Sequence, residues 1–438
     1  MNAVNEKSEL KSRSETPFQN TLEFARMMDL QDPLKTFRSR FFIPQHNNQD
    51  AVYFTGNSLG LQPKSTIDYI NQELEDWATL GVMGHTSARN PWASYHEQFA
   101  KPIATIVGAK EEEVVVMNQL TANLHLLLTT FYRPTKDRYK IICEAKAFPS
   151  DQYALESQVK LHGFDPQEAI VQVGPRENEV VLHTEDIIAA IEEHGNSVAV
   201  VLFGGVNYYS GQVLDMKAIT EAAHNVGAYA GFDLAHAIGN ISLSLHQWKV
   251  DFACWCSYKY LNSGPGGVAG VYLHQKHATN TDLPRLAGWW GTAKKTRFQM
   301  RPEFEPIPTA EGWQLSNAPV LSMAAHKASL SLFEEAGMEA LVEKSKKLTG
   351  FLFHILDEIN ATEAQKVIQL ITPKEAHGCQ VSLLMLERGR EIFDALMNEG
   401  VIADWREPAV IRIAPVPLYN TFEDVWKFGN IISNILAS

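Results

Sequence analysis

The sequence predicts an α/β protein: a large domain with a mostly parallel sheet covered by helices, plus a smaller α+β domain. Three observations lead there. Apolar runs of strand length recur through the middle of the chain, continuous rather than alternating. Amphipathic stretches of helical period lie between them. After Pro319 the pattern shifts to long helices mixed with short strand-like pieces. A continuous apolar strand is one buried on both faces, and helices between such strands are the crossovers that parallel pairing needs.

The elements follow in order. The first twenty or so residues are polar and are expected to be loosely ordered. Residues 113–117 (EVVVM) read as a strand and 122–131 as the helix after it. Further strands are expected at 139–143, 197–203, 228–232, 252–256 and 267–273. Helices are expected at 184–193 and 216–226 between them. Beyond Pro319, helices are expected at 320–335 and 339–359, with Gly337 as the break. The tail adds strands at 380–384 and 410–413 and helices at 391–399 and 421–436. The expected division is a segment 1–70 belonging to the small domain, a large domain 71–325 and a small C-terminal domain 326–438.

Composition narrows the function. A length of 438 residues exceeds one ordinary domain. A 45% hydrophobic and 20% charged composition rules out global disorder. With Lys+Arg 38 against Asp+Glu 51, the net charge is −13, and no basic stripe offers itself to nucleic acid or an anionic membrane. The N-terminus carries no apolar signal core, no run reaches a membrane span, and Cys143, Cys254, Cys256 and Cys379 sit in apolar surroundings. A cytoplasmic protein with reduced, buried thiols is expected, and no metal site.

Candidate chemistry begins at Ser257-Tyr258-Lys259-Tyr260, after an apolar strand and before a Gly-Pro-Gly-Gly turn. A buried lysine is costly unless paired or neutral, and a neutral amine is what Schiff-base chemistry uses. A lysine snorkelling out of a strand end fits the motif about as well. Asp233, in Gly231-Phe232-Asp233-Leu234-Ala235-His236, stands one strand–helix–strand step earlier, which places it on the same carboxyl edge of the sheet. A carboxylate there can keep a pyridine nitrogen protonated, which makes the ring an electron sink. Taken singly, Asp233 is also an ordinary N-cap and His236 a packed core histidine. A metal pair is conceivable too, but no third ligand follows at a recognisable spacing. Together, Asp233 and Lys259 favour pyridoxal phosphate.

Three further features are weaker alone. Gln119-Leu120-Thr121 opens a helix after a strand, where backbone N–H groups and a hydroxyl make an anion site. Phe148-Pro149-Ser150-Asp151 offers an aromatic ring and a carboxylate, though it also reads as a turn into a helix. Arg412, between Ile411 and Ile413, needs a carboxylate partner. That partner is either a substrate's α-carboxylate or, more commonly for such a pattern, a protein Asp or Glu.

Longer stretches carry a resemblance: YFTGNSLGLQPK (53–64), MNQLTANLH (117–125), FPSDQYA (148–154), GFDLAHAIGN (231–240), SYKYLNSGPGG (257–267), GWWGTAKKTRF (288–298), LSNAPV (315–320) and RIAPVPLYNTFEDV (412–425). The chain resembles the kynureninase family, pyridoxal-phosphate enzymes of fold type I in the aminotransferase class V group. The resemblance implies a seven-stranded-type sheet and cleavage of kynurenine or 3-hydroxykynurenine to (3-hydroxy)anthranilate and alanine. Such an activity serves tryptophan catabolism or NAD precursor supply.

By that resemblance Lys259 is the Schiff-base lysine, Asp233 pairs with the ring nitrogen and His236 supports the ring. Leu120, Thr121 and Tyr258 line the phosphate and ring site, and Phe148 stacks on the ring with Ser150 and Asp151 beside it. Trp289 and Asn317 reach across from the neighbouring subunit of a homodimer. Arg412 takes the substrate carboxylate, and Ser58 and His85 face the substrate ring. His85 with Ser316-Asn317 is similar to the type that prefers 3-hydroxykynurenine. The family often has Ser or Thr where this chain has Gly204, so one contact there is absent or passes to a backbone N–H. Two rivals remain. One is a cysteine desulfurase-type lyase, whose only candidate nucleophile is Cys379. The other is a non-catalytic cofactor-binding scaffold.

Overall fold

The computed structural model describes residues 17–362 and 366–437. The expectation of a loosely ordered N-terminus falls largely on residues 1–16, outside the described residues. A seven-stranded sheet forms the large core, in the order Val114–Val116, Gly270–Leu273, Phe252–Trp255, Tyr229–Asp233, Val198–Gly204, Lys140–Glu144, Ile170–Val173. Gly270–Leu273 runs antiparallel to both neighbours, and every other pairing is parallel. The sequence runs marked six of these strands. Ile170–Val173 was not among them: it is four residues long, half-buried and at the sheet's edge, so its apolar signal is weak.

Neighbouring residues on a strand feed opposite cores. Val114 and Val116 join one apolar cluster and Val115 the other; Phe203 and Leu202, and Ala253 and Phe252, divide in the same way. This two-sided burial is why the runs are continuous. Leu120–Phe131 covers one face through Leu124, Leu127 and Leu128. Met216–Asn225 covers the other through Ile219 and Ala223.

The second core gathers around a four-stranded antiparallel sheet in the order Ile368–Leu370, Val381–Met385, Val410–Ile413, Asp404–Arg406. Helices Met338–Thr362, Gly389–Asn398 and Phe422–Ala437 pack on it. The N-terminal segment contributes to both cores: Phe24, Val52 and Phe54 to this one, Leu34, Phe37 and Phe41 to the large one. Asp29 accepts the backbone N–H groups of Phe422 and Glu423, which fixes helix Leu22–Gln31 to the start of the last helix. Helix Val320–Ala336 delivers Met323, Leu330 and Phe333 to the large core.

One consequence of this topology sets the site. The five strands of the parallel block end at one edge, and Val114–Val116, two antiparallel steps away, ends there too. The loops after five of these strands carry the candidate residues, so residues far apart in the chain meet.

Candidate active site

A cavity of about 630 Å³ opens at that edge. Leu120, Thr121, Phe148, Ser150, Asp151, Gly204, Asp233, His236, Tyr258 and Lys259 all line it. Each arrives on its own element: Thr121 on the first turn of Leu120–Phe131, Phe148 to Asp151 at the start of Pro149–Leu161, Gly204 and Asp233 as the last residues of their strands. Lys259 follows Phe252–Trp255 in the loop that opens onto the cavity.

Lys259 Nζ lies 2.9 Å from His236 Nε2 and 5.9 Å from the ring centre of Phe148. The lysine is only partly buried, less than its place after a buried strand suggested, because it stands in the loop rather than in the strand. Burial, then the Lys259, Arg412 and Arg406 charges, push the His236 pKa well below its ordinary value. The ring is therefore neutral, its Nε2 accepts from the amine, and its Nδ1 is buried without a partner.

Asp233 is half-buried, and its carboxylate accepts the Ala235 N–H at 2.7 Å. The Asp151 carboxyl lies beside it on the cavity wall. Burial raises both pKa values, and the Asp233 charge raises Asp151 further. Two helix starts meet opposite: Thr121 Oγ1 and Ser150 Oγ are 2.8 Å apart, where orphan backbone N–H groups favour an anion.

These residues fit pyridoxal 5'-phosphate. Asp151 Oδ1, His236 Nδ1 and Glu144 Oε2 are buried polar atoms without partners around one cavity, which is what a polar ring would satisfy. An amine, a buried carboxylate, an aromatic ring and two helix starts supply the covalent tether, the partner of a ring nitrogen, the ring cover and the phosphate seat.

The remaining expected residues lie elsewhere. Trp289 is 48% exposed, against Trp290 and Phe298, and Asn317 is exposed in a groove with Gln119 and Gly266. His85 sits edge-on to Trp92, 5.5 Å away, on the short helix Gly84–Ser87. Ser58 belongs to a turn tied to the lysine loop by the Gly60 N–H bond to the Tyr258 carbonyl, 2.8 Å. Arg412 is 1% exposed and already held: Asp404 accepts from it at 2.8 and 3.3 Å, and the Tyr208 carbonyl at 2.6 Å. In the described residues its carboxylate partner is thus a protein aspartate, the commoner of the two readings. Arg412 still stands directly behind Tyr208, which lines the cavity and meets Phe148 edge-on at 5.4 Å.

Sequence reasoning missed Tyr208 and Glu144, both on the cavity wall. Glu144 had a signal: a lone acid ending an apolar strand at the edge where the other candidates lie. Cys379 is 1% exposed, and burial pushes its thiol up to about 12, so it is neither exposed nor ionised.

The comparisons with known proteins agree with this geometry. The model for the kynureninase C-terminal domain matches residues 341–432, and that for the DegT/DnrJ/EryC1/StrS aminotransferase family residues 82–247. A kynureninase from Flavobacterium psychrophilum is 56% identical over 417 residues, covering 95% of this chain and 98% of that protein. Kynureninases from Myxococcus xanthus and Mus musculus are 52% and 47% identical, covering 94% of this chain and 96% and 92% of theirs. Among solved structures, a cysteine desulfurase from Thermococcus onnurineus superposes with a TM-score of 0.72 at 16% identity, covering 88% of this chain and 95% of that one. The cysteine desulfurase CsdA from Escherichia coli gives 0.73 at 15%, covering 92% and 98%. At that identity they share the fold alone. With relatives this similar along nearly its whole length and the C-terminal domain model matched, the chain belongs to the kynureninase family.

Proposed function

We propose that this chain is a pyridoxal-phosphate-dependent hydrolase that cleaves the Cβ–Cγ bond of kynurenine or 3-hydroxykynurenine, releasing the anthranilate and alanine. Membership of the family supports the activity. The observation that carries the chemistry is the meeting of Lys259, neutral His236 and the Asp151–Asp233 pair in one cavity. Bound there, the cofactor would supply an aldehyde for the substrate amine and, in its protonated ring, an electron sink.

The chain's own residues do the rest. Asp233 holds the proton on the ring nitrogen, and Asp151 supports it from the side. Lys259 Nζ is the covalent tether and, once displaced, the base that moves the Cα proton. His236 accepts from Nζ and fixes its position. Tyr258, whose pKa burial and Cys256 raise, remains a protonated hydroxyl beside the lysine and serves as a proton donor. Phe148 covers the ring, and Thr121 and Ser150 seat the phosphate. Arg412 turns its fork from Asp404 toward the substrate carboxylate, which aligns the breaking bond. Ser58 and His85 face the substrate ring, His85 suiting a 3-hydroxyl.

Trp289 and Asn317 complete the cofactor site of a second subunit in a homodimer; their exposure outside their own chain's cavity supports this. Among the described residues no helix is long and apolar enough to cross a membrane. The decisive test is to incubate the purified protein with both kynurenines and follow the fluorescent aromatic product. Turnover of neither substrate by cofactor-loaded protein sinks the reading.

A further inference from the structure

Glu144 ends the strand Lys140–Glu144 in the cavity wall and is 3% exposed. Its Oε1 accepts a 2.7 Å bond from Asn207 Nδ2, while Oε2 is buried without a partner. Leaving a buried polar atom unsatisfied costs about 1–3 kcal/mol, so an orphan at a binding cavity points to what the cavity binds. Residue 204 explains the vacancy beside it. A Cβ built on Gly204 would lie 3.6 Å from Oε2, which puts a serine hydroxyl within hydrogen-bond reach. Glycine offers no side-chain donor there: its backbone N–H faces the Glu144 carboxyl, yet Oε2 completes no hydrogen bond.

We propose that Glu144 is a further cofactor-holding residue of this chain: Oε2, which finds no side-chain donor at Gly204, meets the polar edge of the bound pyridoxal ring beside Asp233. The proposal rests on the pyridoxal-phosphate reading of the cavity and adds a proton switch to it.

The groups around Glu144 make that switch work near neutrality. Asp233 faces it from the strand Tyr229–Asp233, with His236 on the turn after it. Asp151 comes from the helix Pro149–Leu161, Lys259 from the loop after Phe252–Trp255, and Asn207 from the turn after Val198–Gly204. Burial first, then Asp233, raise the Glu144 pKa to about 7 against the opposing donors Asn207 and Gly204. The cofactor brings net negative charge into a cavity that already holds Asp151 and Asp233. Ionising Glu144 beside that pair opposes binding, and binding in turn holds the proton on Glu144.

The whole chain, stripped of cofactor, is titrated with pyridoxal 5'-phosphate from about pH 6 to about pH 8.5, reading visible absorbance and Kd for wild type, Glu144→Gln and Gly204→Ser. One unit of pKa change on binding corresponds to a tenfold change in affinity, so wild-type affinity is expected to fall about tenfold across neutrality. Glu144→Gln, uncharged and similar in shape, binds like wild type at the acid end and lacks that fall. Gly204→Ser gives Oε2 a protein donor, lowers the Glu144 pKa and moves the transition to lower pH. A bound cofactor whose pH profile is the same in wild type and Glu144→Gln overturns this proposal alone. An unmoved transition in Gly204→Ser does so too, should Glu144→Gln fail to fold. Absence of any bound cofactor in wild type overturns the reading of the cavity, and this proposal with it.

Discussion

Lys259 Nζ and His236 Nε2 are 2.9 Å apart, and the histidine is held neutral by burial and by the cations around it. A neutral imidazole accepts from the amine without repelling it, so the pair fixes the direction of Nζ while leaving the lysine chemically available. Replacing Lys259 by Ala is expected to lower turnover at least about 1,000-fold and to remove the visible absorbance of lysine-bound cofactor. Absorbance and product fluorescence report both, and near-full activity in that variant refutes the assignment.

Arg412 faces a choice between two carboxylates. Asp404 stands directly opposite it across the antiparallel pair of Asp404–Arg406 and Val410–Ile413, and is its partner in the structure. Lys at 412 keeps the charge and loses the fork. Arg412→Lys is therefore expected to raise KM about 10–100-fold, with a smaller effect on kcat. A KM within twofold or so of wild type would leave Arg412 as nothing more than the partner of Asp404.

The fold is shared with cysteine desulfurases, which makes Cys379 the residue to test. Buried and protonated, it has no route to nucleophilic attack. Cys379→Ser is expected to retain activity within about twofold of wild type, as burying one small polar group costs stability rather than chemistry. Sulfide release from cysteine, lost in that variant, would reverse the conclusion.

Trp289 is expected to matter through a second copy of the chain. Light scattering on the purified protein should give about twice the chain mass of 49.0 kDa. Trp289→Ala should weaken cofactor retention about tenfold, the effect expected of removing one buried interface tryptophan. A monomer that keeps its cofactor and full activity contradicts the shared-site arrangement.

A stability prediction comes from the opposite edge of the sheet. Asp251, just before Phe252–Trp255, accepts from His224 at 2.8 Å, His277 at 2.7 Å, Lys276 at 2.6 Å and the Ala230 N–H at 2.7 Å. Burial opposes ionisation, but the three side-chain donors outweigh it and hold the carboxyl below the usual range. A depressed pKa stabilises the fold above the free carboxylate value of about pH 4, and that stabilisation fades as the pH falls toward the folded value. Asp251→Asn is expected to lose about 3 kcal/mol at pH 7. The gap between thermal melts of variant and wild type should narrow progressively as the pH falls below about 4; a constant gap assigns the loss to packing instead.

Six of the seven strands of the large sheet, several helices between them and the placing of Asp233 and Lys259 on one edge were legible in the sequence. Continuous apolar runs encode two-sided burial locally, and parallel pairing brings the strand ends to one edge; the step from Tyr229–Asp233 to Phe252–Trp255 is made by turns, not by the helix that the spacing suggested. The family motifs carried the remaining site residues by number. Tertiary structure alone decided the rest. It set Asp404 opposite Arg412, a matter of register between strands rather than of either residue's surroundings. It left Trp289 and Asn317 outside the cavity of their own chain. It brought Glu144 beside Asp233 and turned an unremarked acid into a buried carboxyl with an open oxygen. Local sequence fixes which element a residue belongs to; which groups share a cavity, and with what protonation, depends on elements far apart in the chain meeting in low dielectric.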